Sequence, residues 1–320
     1  MNFSNTSKLS GLNLILGATW KQHTKPKIPC KLTDENTERI GSIEIVKRSV
    51  KENVVFCLTR GYKGFSKVSY LMLIARNFGV VIYLIRTGQL GKTDILLLHE
   101  GNVTPSDQKI LNFLCFGLLT FKDASKTFFS GAPKTLSSGE RLGYSLMCRF
   151  QYAGVWPYLK DYIVCMRVDE DVFLIRAPRL DPISVFAAGV GSEESHAPTN
   201  DSLPVFLSEI ELDKFYDHVF PYTNVYVTRV NFWLKPEAQR IINLISNHPL
   251  SLEYRWGDLP VLGIVLKAFG HWSEQSISSD FSYLHLSHFS LVHKKRIKVL
   301  KTAQLIHLFA YKVKKWLLRH

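Results

Sequence analysis

The sequence predicts an α/β fold built on a mainly parallel sheet that helices cover on both faces. Short, nearly continuous apolar runs alternate with helical segments in the first half of the chain, which is typical of strands that are buried on both sides. The composition agrees with this prediction, because 46% of the 320 residues are hydrophobic and 21% are charged, enough apolar surface for a substantial core.

The first elements follow a strand, helix, strand order. Residues 54–59 form an apolar, β-branched run that Arg60 and a glycine close, which predicts a buried strand leading into a loop. Thr104 is a suitable N-cap for a later helix. The expected elements that follow the first strand are a helix at 65–76, strands at 80–85 and 94–99, and a helix at 105–116.

The middle of the chain contains a strand that runs directly into an acidic triplet. Residues 162–168 are apolar and lead into Asp169-Glu170-Asp171, after which residues 172–175 are apolar again. The triplet is therefore expected at the carboxyl end of a strand, where open α/β sheets bind their ligands. The remaining expected elements are a helix at 139–155, a polar loop at 189–204 and a helix at 236–247.

Cysteine spacing and hydropathy exclude several classes of protein. The five cysteines show no CxxC spacing, so we expect buried free thiols in a reducing compartment and neither a zinc cluster nor a disulfide framework. The first residues lack the basic and apolar regions of a signal peptide. No apolar run reaches the roughly 18 to 20 residues that span a bilayer. We therefore expect a cytoplasmic protein that is not an integral membrane protein.

The acidic triplet suits a hard divalent cation. Asp169 and Asp171 are separated by one residue, and paired carboxylates after a buried strand can bind Mn²⁺ or Mg²⁺ together with a diphosphate. Such a cation would stabilise negative charge on a diphosphate leaving group. A solvated acidic turn is the alternative interpretation of the triplet taken by itself.

Several ordered blocks resemble glycosyltransferase family 15, the fungal α-1,2-mannosyltransferases. The family patterns YRHMCRF, WRVEPD, SNFEIADLNFW, ERWGDAPV and EDIGYYH have counterparts here in the same order. These counterparts are YSLMCRF at 144–150, MRVDED at 166–171, Asn224 with NFW at 231–233, RWGDLPV at 255–261 and DFSYLH at 280–285. The resemblance covers roughly residues 54–288 and implies a GT-A fold, a Rossmann-like mixed sheet flanked by helices. It also implies a GDP-mannose donor, Mn²⁺ and retention of anomeric configuration.

The resemblance also implies roles for individual residues. Asp169 stands where the family has the glutamate of EPD, and Asp171 and His285 match its metal-binding aspartate and histidine. Asp169, Asp171 and His285 are therefore the expected metal ligands, with Asp169 also close to the donor. Further residues expected to contact the nucleotide or its phosphates are Arg60, Arg149 and Arg255. For Arg149 and Arg255, the alternative interpretation is a structural ion pair with a buried acidic residue.

Two residues are the candidates for a direct part in sugar transfer. Asp258 belongs to the distinctive RWGD block and is expected to orient the acceptor or the donor. Tyr226 aligns with the family's proposed glutamate nucleophile. A tyrosine can act as a nucleophile, but a structural aromatic on a strand is the other interpretation. The substitution leaves open front-face substitution, in which the leaving diphosphate assists the incoming hydroxyl.

Most of the net charge of +13 is C-terminal, since residues 281–320 contain nine Lys and Arg and no acidic residue. Residues 291–320 have the pattern of a basic amphipathic helix, which can bind an anionic membrane surface or pack on the domain. Nucleic-acid binding is not expected, because no nucleic-acid motif accompanies the charge. The expected organisation is an N-terminal extension at 1–50, a GT-A catalytic domain at 51–290 and this helix.

The sequence thus predicts a metal-dependent, retaining hexosyltransferase that moves mannose from GDP-mannose to a glycan or glycolipid hydroxyl. A non-catalytic protein that binds nucleotide sugars or glycans on the same fold is the competing hypothesis. A basic membrane or nucleic-acid adaptor is the third, and its binding would survive loss of Asp169 and Asp171.

Overall fold

A six-stranded mixed sheet lies at the centre of the computed structural model, which describes residues 52–59, 67–139, 141–180, 185–192, 201–272 and 280–285. Its strands are β1 (Asn53–Thr59), β2 (Thr93–His99), β3 (Leu119–Asp123), β4 (Val164–Val168), β6 (Phe186–Ser192) and β7 (Val219–Arg229). Two further strands, β5 (Val172–Arg176) and β8 (Ser282–His285), form a separate antiparallel pair. The predictions for Arg60, for an N-terminal extension at 1–50 and for a basic amphipathic helix at 291–320 lie outside the described residues.

The spatial order of the central sheet is β3-β2-β1-β4-β7-β6. The first four strands are mutually parallel, whereas β7 runs antiparallel to both β4 and β6. The sheet is therefore mainly parallel, as the apolar runs predict, and mixed, as the family resemblance implies. Its two faces are covered by two separate clusters of buried apolar side chains.

Helices connect and cover these strands. In chain order they are α1 (Lys67–Arg86), α2 (Pro105–Leu114), α3 (Ser125–Phe128), α4 (Leu142–Arg149), α5 (Trp156–Leu159), α6 (Ser202–Glu209), α7 (Val230–Trp233), α8 (Pro236–Asn247), α9 (Leu250–Glu253) and α10 (Asp258–Ala268). The predicted bounds of α8 are confirmed. At α2, Thr104 and Asp107 form a reciprocal capping box, which confirms the expected start of that helix. None of the described helices is long and apolar enough to cross a membrane.

The predicted strand at 80–85 is wrong, because these residues continue helix α1. The run is β-branched and apolar, and such a short run cannot be assigned to strand or helix by its pattern alone. Val80, Val81 and Leu84 are buried against the central sheet, so burial on a helix accounts for their apolar character. Gly79 lies within the helix, and a side chain at this position would meet the backbone of Leu174.

Two other expectations are corrected in part. The helix expected at 139–155 is the shorter helix α4, followed by one π-helical turn at Phe150–Gly154. The polar loop expected at 189–204 is shorter than predicted, since its first residues complete β6 and its last ones begin α6. The four described cysteines are free and buried, as expected.

Candidate functional site

The acidic triplet forms the turn between β4 and β5, at the carboxyl end of the parallel strands. The backbone N–H of Asp169 donates to the carbonyl of Asn224 on β7, at 3.0 Å. The N–H of Val172 donates to the carbonyl of Asp169, at 3.2 Å, and closes the turn. The expected position of the triplet is thus confirmed, and the antiparallel strand β7 fixes the start of the turn.

A buried arginine, Arg167, connects the triplet to helix α10. Its Nε and Nη2 donate to the two carboxylate oxygens of Asp169, at 2.7 and 3.2 Å, and its Nη1 donates to Oδ2 of Asp258. Only 3% of its side chain is exposed. Arg167 is not among the site residues predicted above, although its position as the one charged residue of an otherwise apolar strand is a signal that could have identified it.

The electrostatics of this cluster keep the arginine charged. Burial alone would lower the pKa of Arg167, but Asp169 and Asp258 outweigh burial and raise it well above its ordinary value. Burial raises the pKa of Asp169 to about 6, and the contacts with Arg167 oppose that rise. Because the Asp169 side chain is 22% exposed and accepts two hydrogen bonds from a guanidinium, we assign it as ionised.

Asp171 and His285 come together because strands β5 and β8 pair. His285 lies opposite Val172 in the register of that pair, next to the end of the triplet. Its Nδ1 is 3.7 Å from Oδ2 of Asp171, and the two side chains are 21% and 24% exposed. The residues are separated by more than a hundred positions in sequence, so the two-stranded sheet is what creates this pair.

The Asp171 and His285 pair could contribute two ligands to a divalent cation. Adjacent ligand atoms that are each about 2.1 Å from an octahedral cation lie about 3.0 Å apart, so the 3.7 Å between these two atoms would have to shorten for both to bind one cation side by side. Carboxylate and imidazole together suit Mn²⁺. The predicted cluster of three ligands is not assembled, however, since no group of three His, Cys, Asp or Glu within the described residues could hold a metal. Metal ligation by Asp169 stays a prediction, and in this structure Arg167 donates to both of its carboxylate oxygens.

Asp258 is the first residue of helix α10, directly after its N-cap, Gly257. It is 8% exposed and contacts Arg167, so it lies beside Asp169. The preceding turn holds Arg255 in a left-handed conformation with φ of 48°, and its guanidinium lies 5.3 Å from the ring centre of Tyr144. The structure therefore brings Asp258 into the same cluster as the triplet, with Arg255 on the adjacent turn.

Tyr226 lies opposite Arg167 on β7, but its side chain is fully buried. Its ring packs against those of Phe56 and Phe186, with centroids 6.5 and 5.2 Å away. Its hydroxyl has no hydrogen-bond partner among the described residues, and burial raises its pKa well above the ordinary value. A phenol in this environment does not reach solvent and stays protonated.

Arg149 contacts a loop and not the triplet. Its Nη2 donates to the carbonyl of Ser130, and burial lowers the pKa of its guanidinium.

A polar contact on β7, next to the triplet, was not predicted from the sequence. The side-chain amide of Asn224 donates to the hydroxyl of Tyr222, at 3.2 Å.

The chain has a GT-A fold, as its similarity to two solved structures shows. Core-mannan synthase A (CmsA/Ktr4) from Aspergillus fumigatus, in its Mn/GDP form, is similar with a TM-score of 0.53 and 15% identity, over 73% of this chain and 74% of that chain. The mannosyltransferase Ktr4p from S. cerevisiae is similar with a TM-score of 0.54 and 14% identity, over 89% of this chain and 82% of that chain. No family model and no curated protein matches the sequence.

Proposed function

We propose that this protein is a metal-dependent glycosyltransferase that moves a hexose from a nucleotide-diphosphate sugar to a carbohydrate hydroxyl. The observation that carries the proposal is the Asp171 and His285 pair beside the buried Arg167, Asp169 and Asp258 cluster. Both lie at the carboxyl end of β4, where a fold of this type binds ligands. The similar mannosyltransferase structures favour mannose as the sugar and GDP as the nucleotide.

The proposed reaction breaks the bond between the anomeric carbon of the sugar and the diphosphate oxygen, and forms a bond from that carbon to the acceptor oxygen. The acceptor hydroxyl loses its proton, and the diphosphate leaves with the bonding electrons. A bound Mn²⁺ or Mg²⁺ would neutralise the charge that develops on the diphosphate. Asp171 and His285 would hold the cation, while the donor phosphates complete its ligand set.

The chain's own residues would orient the sugar. Asp258 is held in place by Arg167 and begins a helix, so its carboxylate can accept a hydrogen bond from a sugar hydroxyl in a fixed direction. Arg255 lies on the adjacent turn and is our candidate for a phosphate contact. Arg149 contacts a backbone carbonyl, which favours a structural role for it. Arg60 remains a prediction.

We propose retention by front-face substitution, in which the leaving diphosphate accepts the proton of the incoming hydroxyl. The resemblance to family 15 implies retention, but the residue at the position of its proposed nucleophile is Tyr226, whose hydroxyl is buried. A nucleophile must reach the anomeric carbon, and a phenol packed between two rings does not. Burial of Tyr226 therefore favours a mechanism without a covalent intermediate at this position.

A thermal-shift screen with nucleotide sugars tests the donor and the cation together. We expect GDP-mannose with Mn²⁺ to raise the melting temperature more than UDP-sugars do, since a ligand that binds the native state stabilises it. Transfer is then measured on mannoside and glycolipid acceptors. Asp171→Asn should abolish the Mn²⁺-dependent shift, whereas Asp280→Asn, a matched change at a carboxylate that is 63% exposed, should retain it.

Donor binding without hydrolysis or transfer would favour the competing function, a non-catalytic protein that binds nucleotide sugars. The observation that supports this second function is the burial of Tyr226, which stands at the position of the family's proposed nucleophile. Membrane binding through residues 291–320 and a cytoplasmic location remain predictions. They would place the proposed enzyme beside a membrane-bound acceptor.

A further inference from the structure

One face of helix α1 contacts the backbone of the segment that carries the acidic turn and β5, residues 168–178. Arg76, Gly79, Tyr83 and Arg86 share this face, because they are spaced three, four and three positions apart. Each of the four meets the main chain of that segment, and Gly79 also faces the ring of Phe173. Helix α1 therefore contacts both ends of the segment as well as its middle.

The contacts follow the segment in order. Arg76 donates from Nε and Nη2 to the carbonyl of Val168, at 3.1 and 3.0 Å. A Cβ added at Gly79 would lie 2.8 Å from the backbone nitrogen of Leu174, so helix and strand approach as closely as a glycine allows. At the far end, the hydroxyl of Tyr83 donates to the carbonyl of Pro178, at 2.5 Å.

Arg76 is an unusual residue for this position, because it is completely buried. Its remaining hydrogen bonds go to the carbonyl of Phe56 on β1, at 2.9 Å, and to the side chain of Asn77, at 2.7 Å. No carboxylate within the described residues forms an ion pair with it, and burial lowers its pKa. Burying a guanidinium without an anionic partner is costly. Its hydrogen bonds join the carbonyls of two neighbouring central strands, β1 and β4, directly before Asp169.

We propose that Arg76 is a positioning residue for the cation site, acting with Gly79 through the backbone on either side of the triplet. Arg76 fixes the Val168 carbonyl to β1, and so fixes the point from which the triplet starts. Gly79 lets β5 rest against the helix, and so fixes the strand that follows Asp171 and pairs with the strand of His285. This inference rests on the proposed function, because it concerns the same cation.

The test measures the dissociation constant for Mn²⁺ by electron paramagnetic resonance, together with the melting temperature. Arg76→Lys keeps the charge but loses the forked geometry, and Gly79→Ala forces β5 away from the helix. We expect both to weaken Mn²⁺ binding by about ten-fold or more, as changes to groups that orient metal ligands do. Tyr83→Phe is the matched control, which removes a hydrogen bond from the same face far from the triplet and should lower stability alone.

The outcomes separate the two proposals. If the wild-type chain binds no Mn²⁺, with or without GDP, the proposed function fails. If the wild type binds Mn²⁺ and folded Arg76→Lys and Gly79→Ala bind it as tightly, the positioning role is wrong. Should one variant not fold, the other decides. Should neither fold, the wild type decides: we expect Mg²⁺ to shift the Nε–H resonance of Arg76, which donates to the carbonyl directly before Asp169, and an unmoved resonance would overturn the inference.

Discussion

Arg167 holds Asp169 through both carboxylate oxygens, at 2.7 and 3.2 Å, and uses its remaining nitrogen to hold Asp258. One guanidinium thus orients two carboxylates that come from different parts of the chain. Because a planar guanidinium fits a carboxylate in only one plane, the arrangement fixes the direction of the Asp169 side chain as well as its charge. Asp171 is left to face His285.

Replacing Arg167 should destabilise the protein strongly. Arg167→Met leaves two carboxylates without their partner, and we expect the free energy of unfolding to fall by about 3–5 kcal/mol. Urea denaturation at neutral pH measures this change. Arg176→Met is the control, because its pair with Asp280 is 3.9 Å long and exposed, and its loss should cost about 0–1 kcal/mol. Equal stability of Arg167→Met and the wild type would contradict the structure of the cluster.

Removal of the imidazole should weaken cation binding without affecting the fold. We expect His285→Ala to raise the dissociation constant for Mn²⁺ by at least about ten-fold, since loss of a ligand should cost no less than loss of a group that orients one. Isothermal titration calorimetry measures the constant, and circular dichroism checks the fold. His218→Asn is a suitable control, because His218 is exposed and asparagine tolerates its φ of 60°. Unchanged affinity in His285→Ala would remove His285 from the site.

Tyr226→Phe separates a structural tyrosine from a nucleophile. The hydroxyl is buried without a partner among the described residues, so its removal should raise the free energy of unfolding by about 1 kcal/mol. Because the buried hydroxyl takes no part in the proposed reaction, the rate of sugar transfer should stay within about two-fold of the wild-type rate. Removal of a covalent nucleophile would lower the rate far more than that. A loss of several orders of magnitude in kcat, with the fold intact, would restore Tyr226 as the nucleophile.

Helix α10, which begins at Asp258, packs on β7 too closely for a side chain at Gly263. A Cβ there would overlap the ring of Phe220 and lie 3.1 Å from Cδ of Pro221. We expect Gly263→Ala to destabilise the protein by about 1–3 kcal/mol. Gly143→Ala is the matched control in helix α4, where nothing lies within 4 Å, and it should stabilise the protein by about 0.5–1 kcal/mol. Thermal melting of the two variants should therefore move in opposite directions.

The sequence predicts the sheet better than it predicts the site. Local patterns suffice for β1, β2, β4 and the turn that follows β4, because each strand is a buried apolar run. The assignment of 80–85 fails because helix and buried strand share this pattern, and the close approach of Gly79 to β5 is a tertiary contact. The pairing of Asp171 with His285 was accessible only through the family resemblance, since it depends on a strand pair distant in sequence.

The role of Arg167 could not be derived from spacing either. Its partners include one residue two positions away and one in a helix that begins far along the chain. The spacing in the sequence can indicate the contact between Arg167 and Asp169, but it cannot indicate the contact between Arg167 and Asp258. A charged residue in an apolar strand does indicate a buried partner, but which acid provides it is decided by the packing of α10 on β7.

The link from Arg167 to Asp258 spans 91 residues. Closing a loop of this length has an entropic cost, and the contact forms only once the central sheet and α10 have both assembled. A chain that stops before α10 lacks both the Asp258 carboxylate and the His285 imidazole, and one that stops between α10 and β8 lacks the imidazole alone. The proposed sites for the cation and the nucleotide sugar therefore require both α10 and β8, and we expect a protein truncated before either element to bind neither ligand.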